Sequence, residues 1–207
     1  MTIIDTFKEA DLEEVLVLHE IIFSPLGCEA YAIVQEEFRE NLRAKRVFAA
    51  YAAGKVVGFG GYRLMHDDHI MRASVQTALS WAKDKDNEPL LLEMMRQEQE
   101  QLGKGEASVT IYENELTQKG VEVLDNDMYF SELGVHPEFR RRGVGEALTH
   151  TRIKIARELN CSAIYVSCWE AGHVSKMYEK LGFFPILRGE PRYNDGHAEK
   201  VMGLLLK

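Results

Sequence analysis

Arg140, Gly143 and Gly145 stand in the stretch VHPEFRRRGVGEAL with the spacing R-x-x-G-x-G, which suits them to hold phosphate groups. A helix opening just after the glycines leaves its first backbone N–H groups unpaired and carries roughly half a positive charge at that end, so an anion is stabilised there. Glycine lacks Cβ and accepts positive φ, which lets a diphosphate approach the main chain at contact distance. Arg140, Arg141 and Arg142 add local positive charge to a chain whose formal net charge is -8.

Two other glycine-rich readings fail on their own terms. A dinucleotide fingerprint G-x-G-x-x-G would need glycine where Leu148 stands, and the N-terminal βαβ context is missing. A P-loop would need a hydroxyl residue and a preceding strand at Gly103-Lys104-Gly105, which has neither. Cys168, at the end of a predicted strand, reads as a buried thiol, because no His-Asp arrangement with local spacing would activate it as a nucleophile. His66-Asp67-Asp68-His69 contains metal-type ligands but reads as a polar turn at a strand exit, so no metal site is predicted.

The elements that must position these residues follow from hydrophobic period and punctuation. Met128 to Val135 reads as the strand feeding the phosphate turn, and Val144, Ala147, Leu148, Thr151, Ile155 and Leu159 recur at helical spacing after it. Upstream, Ile3-Ile4 suggests a short strand. Asp11 and Glu14 have capping-box spacing ahead of a helix carrying Leu12, Val15, Leu16, His19 and Ile22, which Ser24-Pro25 ends. A second amphipathic helix is predicted over 30–45, then a hairpin of 46–51 and 55–64 around Ala53-Gly54. Ala163 to Cys168 is another strand. Val174, Met177, Tyr178 and Leu181 form a helical stripe closed by Gly182, and Phe183 to Ile186 and Lys200 to Leu206 are the last strands.

Between Met65 and Asp127 the chain is too long to be a bare loop. Ile70, Ala73, Thr77, Ala78 and Trp81 fit one helix there, and Leu91, Leu92, Met95 and Leu102 fit another. Residues 108–123 show scattered alternation that assigns no element.

Composition bounds the rest. At 207 residues and 45% apolar content the chain fits one globular domain, 1–207. Its 33 acidic against 25 basic residues argue against nonspecific nucleic-acid binding and favour cationic partners slightly. Three unpaired cysteines without a CxxC suggest a reducing compartment. With no apolar run long enough to span a bilayer and no basic, then apolar, leader at Met1 to Glu9, a cytoplasmic protein is expected, without membrane partners.

VHPEFRRRGVG and, downstream, MYEKLGF from Met177 to Phe183 together resemble the GNAT superfamily of acetyl-CoA-dependent N-acyltransferases, over 129–159 and 163–184. The resemblance implies an α/β (α+β) GNAT fold: a central mixed, mostly antiparallel sheet of about seven strands flanked by helices, here with 65–127 as a helical insertion between the third and fourth strands. It implies that the backbone of Leu133, Gly134 and Val135 pairs with the pantetheine arm, and that the N–H groups of Arg141, Arg142, Gly143, Val144 and Gly145 cradle the diphosphate of acetyl-CoA. Arg140 either touches phosphate or braces the loop.

The resemblance also points to Tyr178 as general acid for the departing thiolate and Glu132 as the carboxylate that binds or deprotonates the amine. The bland readings are a tyrosine completing an apolar stripe and an exposed strand carboxylate. The family commonly has Asn where this chain has Ala171, which removes a side-chain contact to pantetheine. The expected function is acetyl transfer from acetyl-CoA to a primary amine by direct attack in a ternary complex. The alternative is an acyl-CoA sensor or interaction module without catalysis. Tyr193-Asn194-Asp195-Gly196 with Val201-Met202 loosely resembles members that acetylate protein N-terminal amines, beside small amines, polyamines, amino acids and aminoglycosides as acceptors. The striped helices of 65–127 need a cover, which predicts a lid over the acceptor cleft or a homodimer surface.

Overall fold

A computed structural model describes residues 2–26, 28–83, 110–169, 172–189 and 198–206, together with the helical positions Pro89 and Glu93. The predicted helix of Leu91, Leu92, Met95 and Leu102 lies outside the described residues except for Glu93, and so do Ala171 and Tyr193 to Gly196. The chain forms two compact units, 1–64 with 128–161 and 65–127 with 162–207.

In the first unit, strands β1 (Ile3–Thr6), β2 (Val47–Ala52), β3 (Lys55–Gly61) and β7 (Leu133–Val135) form an antiparallel sheet in the order β1-β2-β3-β7. Beside it, β4 (Arg63–Leu64) pairs with β6 (Met128–Phe130). Helices α1 (Leu12–Phe23) and α2 (Cys28–Arg43) pack with Val47, Ala49 and Phe59 on one face of the sheet. The first turn of helix α5 (Val144–Glu158) packs through Val144 and Leu148 against Phe48, Ala50 and Val57 on the other. Burial on both faces explains why β2 and β3 read as continuous apolar runs rather than as alternation.

Two local expectations fail for identifiable reasons. Asp11 and Glu14 make no capping box: a 3-10 turn, Glu9–Asp11, leads into α1 instead. Asp11 accepts from the Tyr51 hydroxyl at 2.7 Å, and Glu14 accepts from the Val56 N–H at 3.0 Å. The strand expected over 128–135 is broken at Ser131-Glu132, and the one over 55–64 at Tyr62. At that break Arg152, wholly buried, donates to the carbonyls of Gly61 at 3.1 Å and Glu132 at 3.5 Å.

In the second unit, β8 (Ala163–Trp169), β10 (Glu199–Leu205), β9 (Phe184–Gly189) and β5 (Thr110–Ile111) lie in that order, antiparallel throughout. Helix α3 (His69–Lys83) is the first predicted helix of the 65–127 segment, with Val75, Ala78 and Leu79 buried and Ala73 exposed. It packs against β9 and against α4 (Glu115–Lys119), which opens with a capping box of Asn114 and Thr117. The buried stripe of α3 is therefore covered within its own unit. Asp68 accepts from the Met71 N–H at 2.9 Å and so caps α3. Among the described residues no helix is long and apolar enough to cross a membrane.

A candidate acetyl-transfer site

Residues 137–144 form a turn that leads from β7 into a helix. Pro137–Phe139 makes one 3-10 turn, after which Arg141 at φ 59° and Gly143 at φ 79° lead into α5. Two residues of positive φ thus bracket Arg142, a backbone type from which anion nests are built. Ala147 N–H to Gly143 O, at 2.9 Å, closes the first helical turn, and the N–H groups before it lie outside the helical ladder. Arg140, Arg141, Arg142 and Gly143 are exposed, whereas Val144 is buried under the sheet. Arg140 Nε donates to Val135 O at 3.1 Å, so this guanidinium braces the turn onto β7, while Arg142 lies over Phe139 at 5.3 Å.

β7 is the edge of its sheet. Gly61 N–H bonds Glu132 O, and His136 N–H bonds Val57 O, both at 2.9 Å. Alternation between these pairs directs Gly134 to β3 and turns the N–H and C=O of Leu133 and Val135 outward. Gly134 cannot carry a side chain: its Cβ would lie 2.5 Å from Phe59 and 2.7 Å from Ile22.

Glu132 is buried, 7% exposed, so the reading of an exposed strand carboxylate is wrong. Strand alternation predicts exposure only when one face is wet, and here α2 covers that face. Asn41 Nδ2 donates to Glu132 Oε2 and to Ser131 Oγ, each at 3.1 Å, and Asn41 Oδ1 accepts from Arg63 Nε at 3.3 Å. Arg63 in turn stands 3.6 Å from Glu37. On the other side Arg152 also bonds Thr149 Oγ1 at 3.2 Å and stacks over Phe130 at 4.1 Å.

Sequence reasoning missed Asn41, Arg63 and Arg152. It had one usable signal, the glycines of Gly58-Phe59-Gly60-Gly61, since glycine inside a strand marks close approach. A Cβ at Gly58 would lie 3.1 Å from Val144, one at Gly60 3.2 Å from the Arg152 guanidinium, and one at Gly61 2.8 Å from Glu132 Oε2.

Tyr178 lies in the second unit on α6 (His173–Lys180), 1% exposed, its ring 5.0 Å from that of Phe183. The predicted stripe shifts: Val174 is exposed and Ser175 buried. Ser175 Oγ and Glu179 Oε1 each lie 3.2 Å from Nζ of the buried Lys200 on β10, which clamps the helix. Gly182 at φ 90° ends it as expected. Burial pushes the Cys168 thiol up to about 12 against the opposing charge of Lys200, so it is no thiolate at neutral pH.

The turn at the start of α5 thus follows directly on the edge strand β7. The model of the acetyltransferase (GNAT) domain matches residues 82–206, more than half of the chain. This chain belongs to the GNAT acetyltransferase family and is an acetyltransferase. The ribosomal-protein-S18-alanine N-acetyltransferase from Escherichia coli is similar at 14% identity and a TM-score of 0.59, covering 100% of this chain and 95% of its own. Drosophila melanogaster polyamine N-acetyltransferase is 15% identical with a TM-score of 0.59, covering 100% of both chains. A mosquito arylalkylamine N-acetyltransferase-like protein is 16% identical with a TM-score of 0.63, again over 100% of both. At these identities the likeness shows the GNAT fold, mixed sheets flanked by helices. A search of curated protein sequences finds no match.

Proposed function

We propose that this chain moves an acetyl group from acetyl-CoA to a primary amine by direct attack in a ternary complex. The outward amides of Leu133 and Val135, followed at once by the nest at Arg141 to Gly145, carry this reading. The edge strand suits the pantetheine arm and the α5 start suits the diphosphate. The N–H groups of β7 also polarise the thioester carbonyl.

The amine nitrogen bonds to the carbonyl carbon, and the carbon–sulfur bond breaks. Glu132 takes the proton that the amine loses, and Tyr178 gives its phenolic proton to the departing thiolate. An amine of pKa near 10 is only about 0.1% neutral at pH 7, which is why a carboxylate near the reacting nitrogen matters. The whole chain, 1–207, is the functional domain. The absence of a CxxC and of a long apolar helix among the described residues fits a cytoplasmic setting. Cationic amines, whether small molecules or protein termini, suit the acidic chain best.

Release of free CoA thiol from acetyl-CoA against a panel of amines tests this. Turnover with at least one amine is expected. Thermal stabilisation by acetyl-CoA without turnover would instead make the chain a sensor.

A further inference from the structure

We propose that Asn41 is a positioning residue for acetyl transfer, its side-chain amide fixing the orientation in which the Glu132 carboxylate meets the acceptor amine. The inference rests on the reading of Glu132 as proton acceptor. Asn41 is 2% exposed and commits its whole amide. One N–H goes to Glu132 Oε2, the other to Ser131 Oγ, and Oδ1 receives Arg63 Nε. A flipped amide would set its oxygen against a carboxylate and its N–H groups against a guanidinium, so the network allows one orientation only.

Two further constraints act on the same carboxylate. Gly61 leaves no room between β3 and Glu132 Oε2, where a Cβ would be 2.8 Å away. The Glu132 main chain is tied through its carbonyl to Gly61 N–H and Arg152. Only the side-chain torsions remain, and Asn41 sets them. Among the described residues no cation stands within ion-pair distance of Glu132. Arg63 reaches Asn41 and pairs with Glu37 instead. A neutral donor thus lies between guanidinium and carboxylate. It aligns the oxygen without neutralising it, as a proton acceptor requires.

A double-mutant cycle tests the idea on the full chain, with kcat and the acetyl-CoA KM measured for one amine substrate. Glu132→Gln should lower kcat by roughly 100-fold. Asn41→Ala should lower kcat at least tenfold with the acetyl-CoA KM within twofold, and should cost nothing further in the Glu132→Gln background. Asn41→Asp, equal in size but with no N–H to offer, should be as slow as Asn41→Ala, and it serves if the alanine variant fails to fold. Equal losses in both Glu132 backgrounds would mean that Asn41 only supports the fold. Full rate in Asn41→Ala beside a slow Glu132→Gln would overturn the positioning role and leave the base standing. Full rate in Glu132→Gln would remove both.

Discussion

Glu132 and Tyr178 are almost equally buried, at 7% and 1% exposure, yet their surroundings differ. In the first unit the carboxylate sits in a polar network of Asn41, Ser131 and Arg63. In the second the phenol ring packs on Phe183, and polar bonds from Lys200 hold the helix beneath it. The difference follows from solvation. Burying a charge without partners costs several kcal/mol, so a carboxylate brings its donors with it, whereas an aromatic ring is stabilised by the burial itself.

This contrast can be broken most severely at the phosphate turn. Gly143→Val places a β-branched residue at φ 79°, costing about 2 kcal/mol in the left-handed turn. Nothing lies within 4 Å of the added Cβ, so packing is spared. The exposed turn escapes that strain by relaxing when empty, so the ligand-free melting temperature should change little, and acetyl-CoA must restore the strained form: calorimetry should show binding roughly 30-fold weaker. An unaltered affinity would mean that the nest is not where the diphosphate binds.

Tyr178→Phe keeps the ring against Phe183 and removes only the hydroxyl. Turnover should fall about tenfold, near 1.4 kcal/mol in the barrier, with acetyl-CoA affinity preserved. Unchanged turnover would reduce Tyr178 to packing and sharpen the contrast, leaving the second unit without an acid.

The smallest effect concerns His19, a polar group in the first unit that lacks the support Glu132 receives. It is fully buried, stacked on Phe38 at 4.5 Å and tilted against Phe23 at 4.7 Å, and both ring nitrogens are without a hydrogen-bond partner among the described residues. Burial, and then the charge of Arg39, lowers its pKa from 6.5 to about 4. The folded state therefore excludes a proton that the unfolded chain accepts, and stability present above pH 6.5 is lost as pH falls towards 4. His19→Phe should add about 1 kcal/mol at neutral pH and flatten that acid slope in denaturant titrations. A slope unchanged by the substitution would assign the acid sensitivity to other groups.

Much of the fold was readable because its signals are local. The apolar period of α5, the glycine stop at Gly182 and the turn at Ala53-Gly54 each act within a few residues. The same holds for the nest, built from consecutive residues of one turn. Where the sequence misled, a distant partner decided. Asp11 and Glu14 abandon a local cap for Tyr51 and Val56 on neighbouring strands, and the second unit's α6 turns Ser175 inward because Lys200 is there to receive it.

The sequence by itself determined the family, the glycine turn ahead of α5 and most element types, since backbone conformation and hydrophobic period are written in short range. Tertiary structure alone decided the break at Ser131-Glu132, the entry of Arg152 beside Gly60, and the pairing of Asn41 with Glu132 across 91 residues. A buried polar group must take its partner from whatever element packs against it, and that choice is made only when the helices close over the sheet.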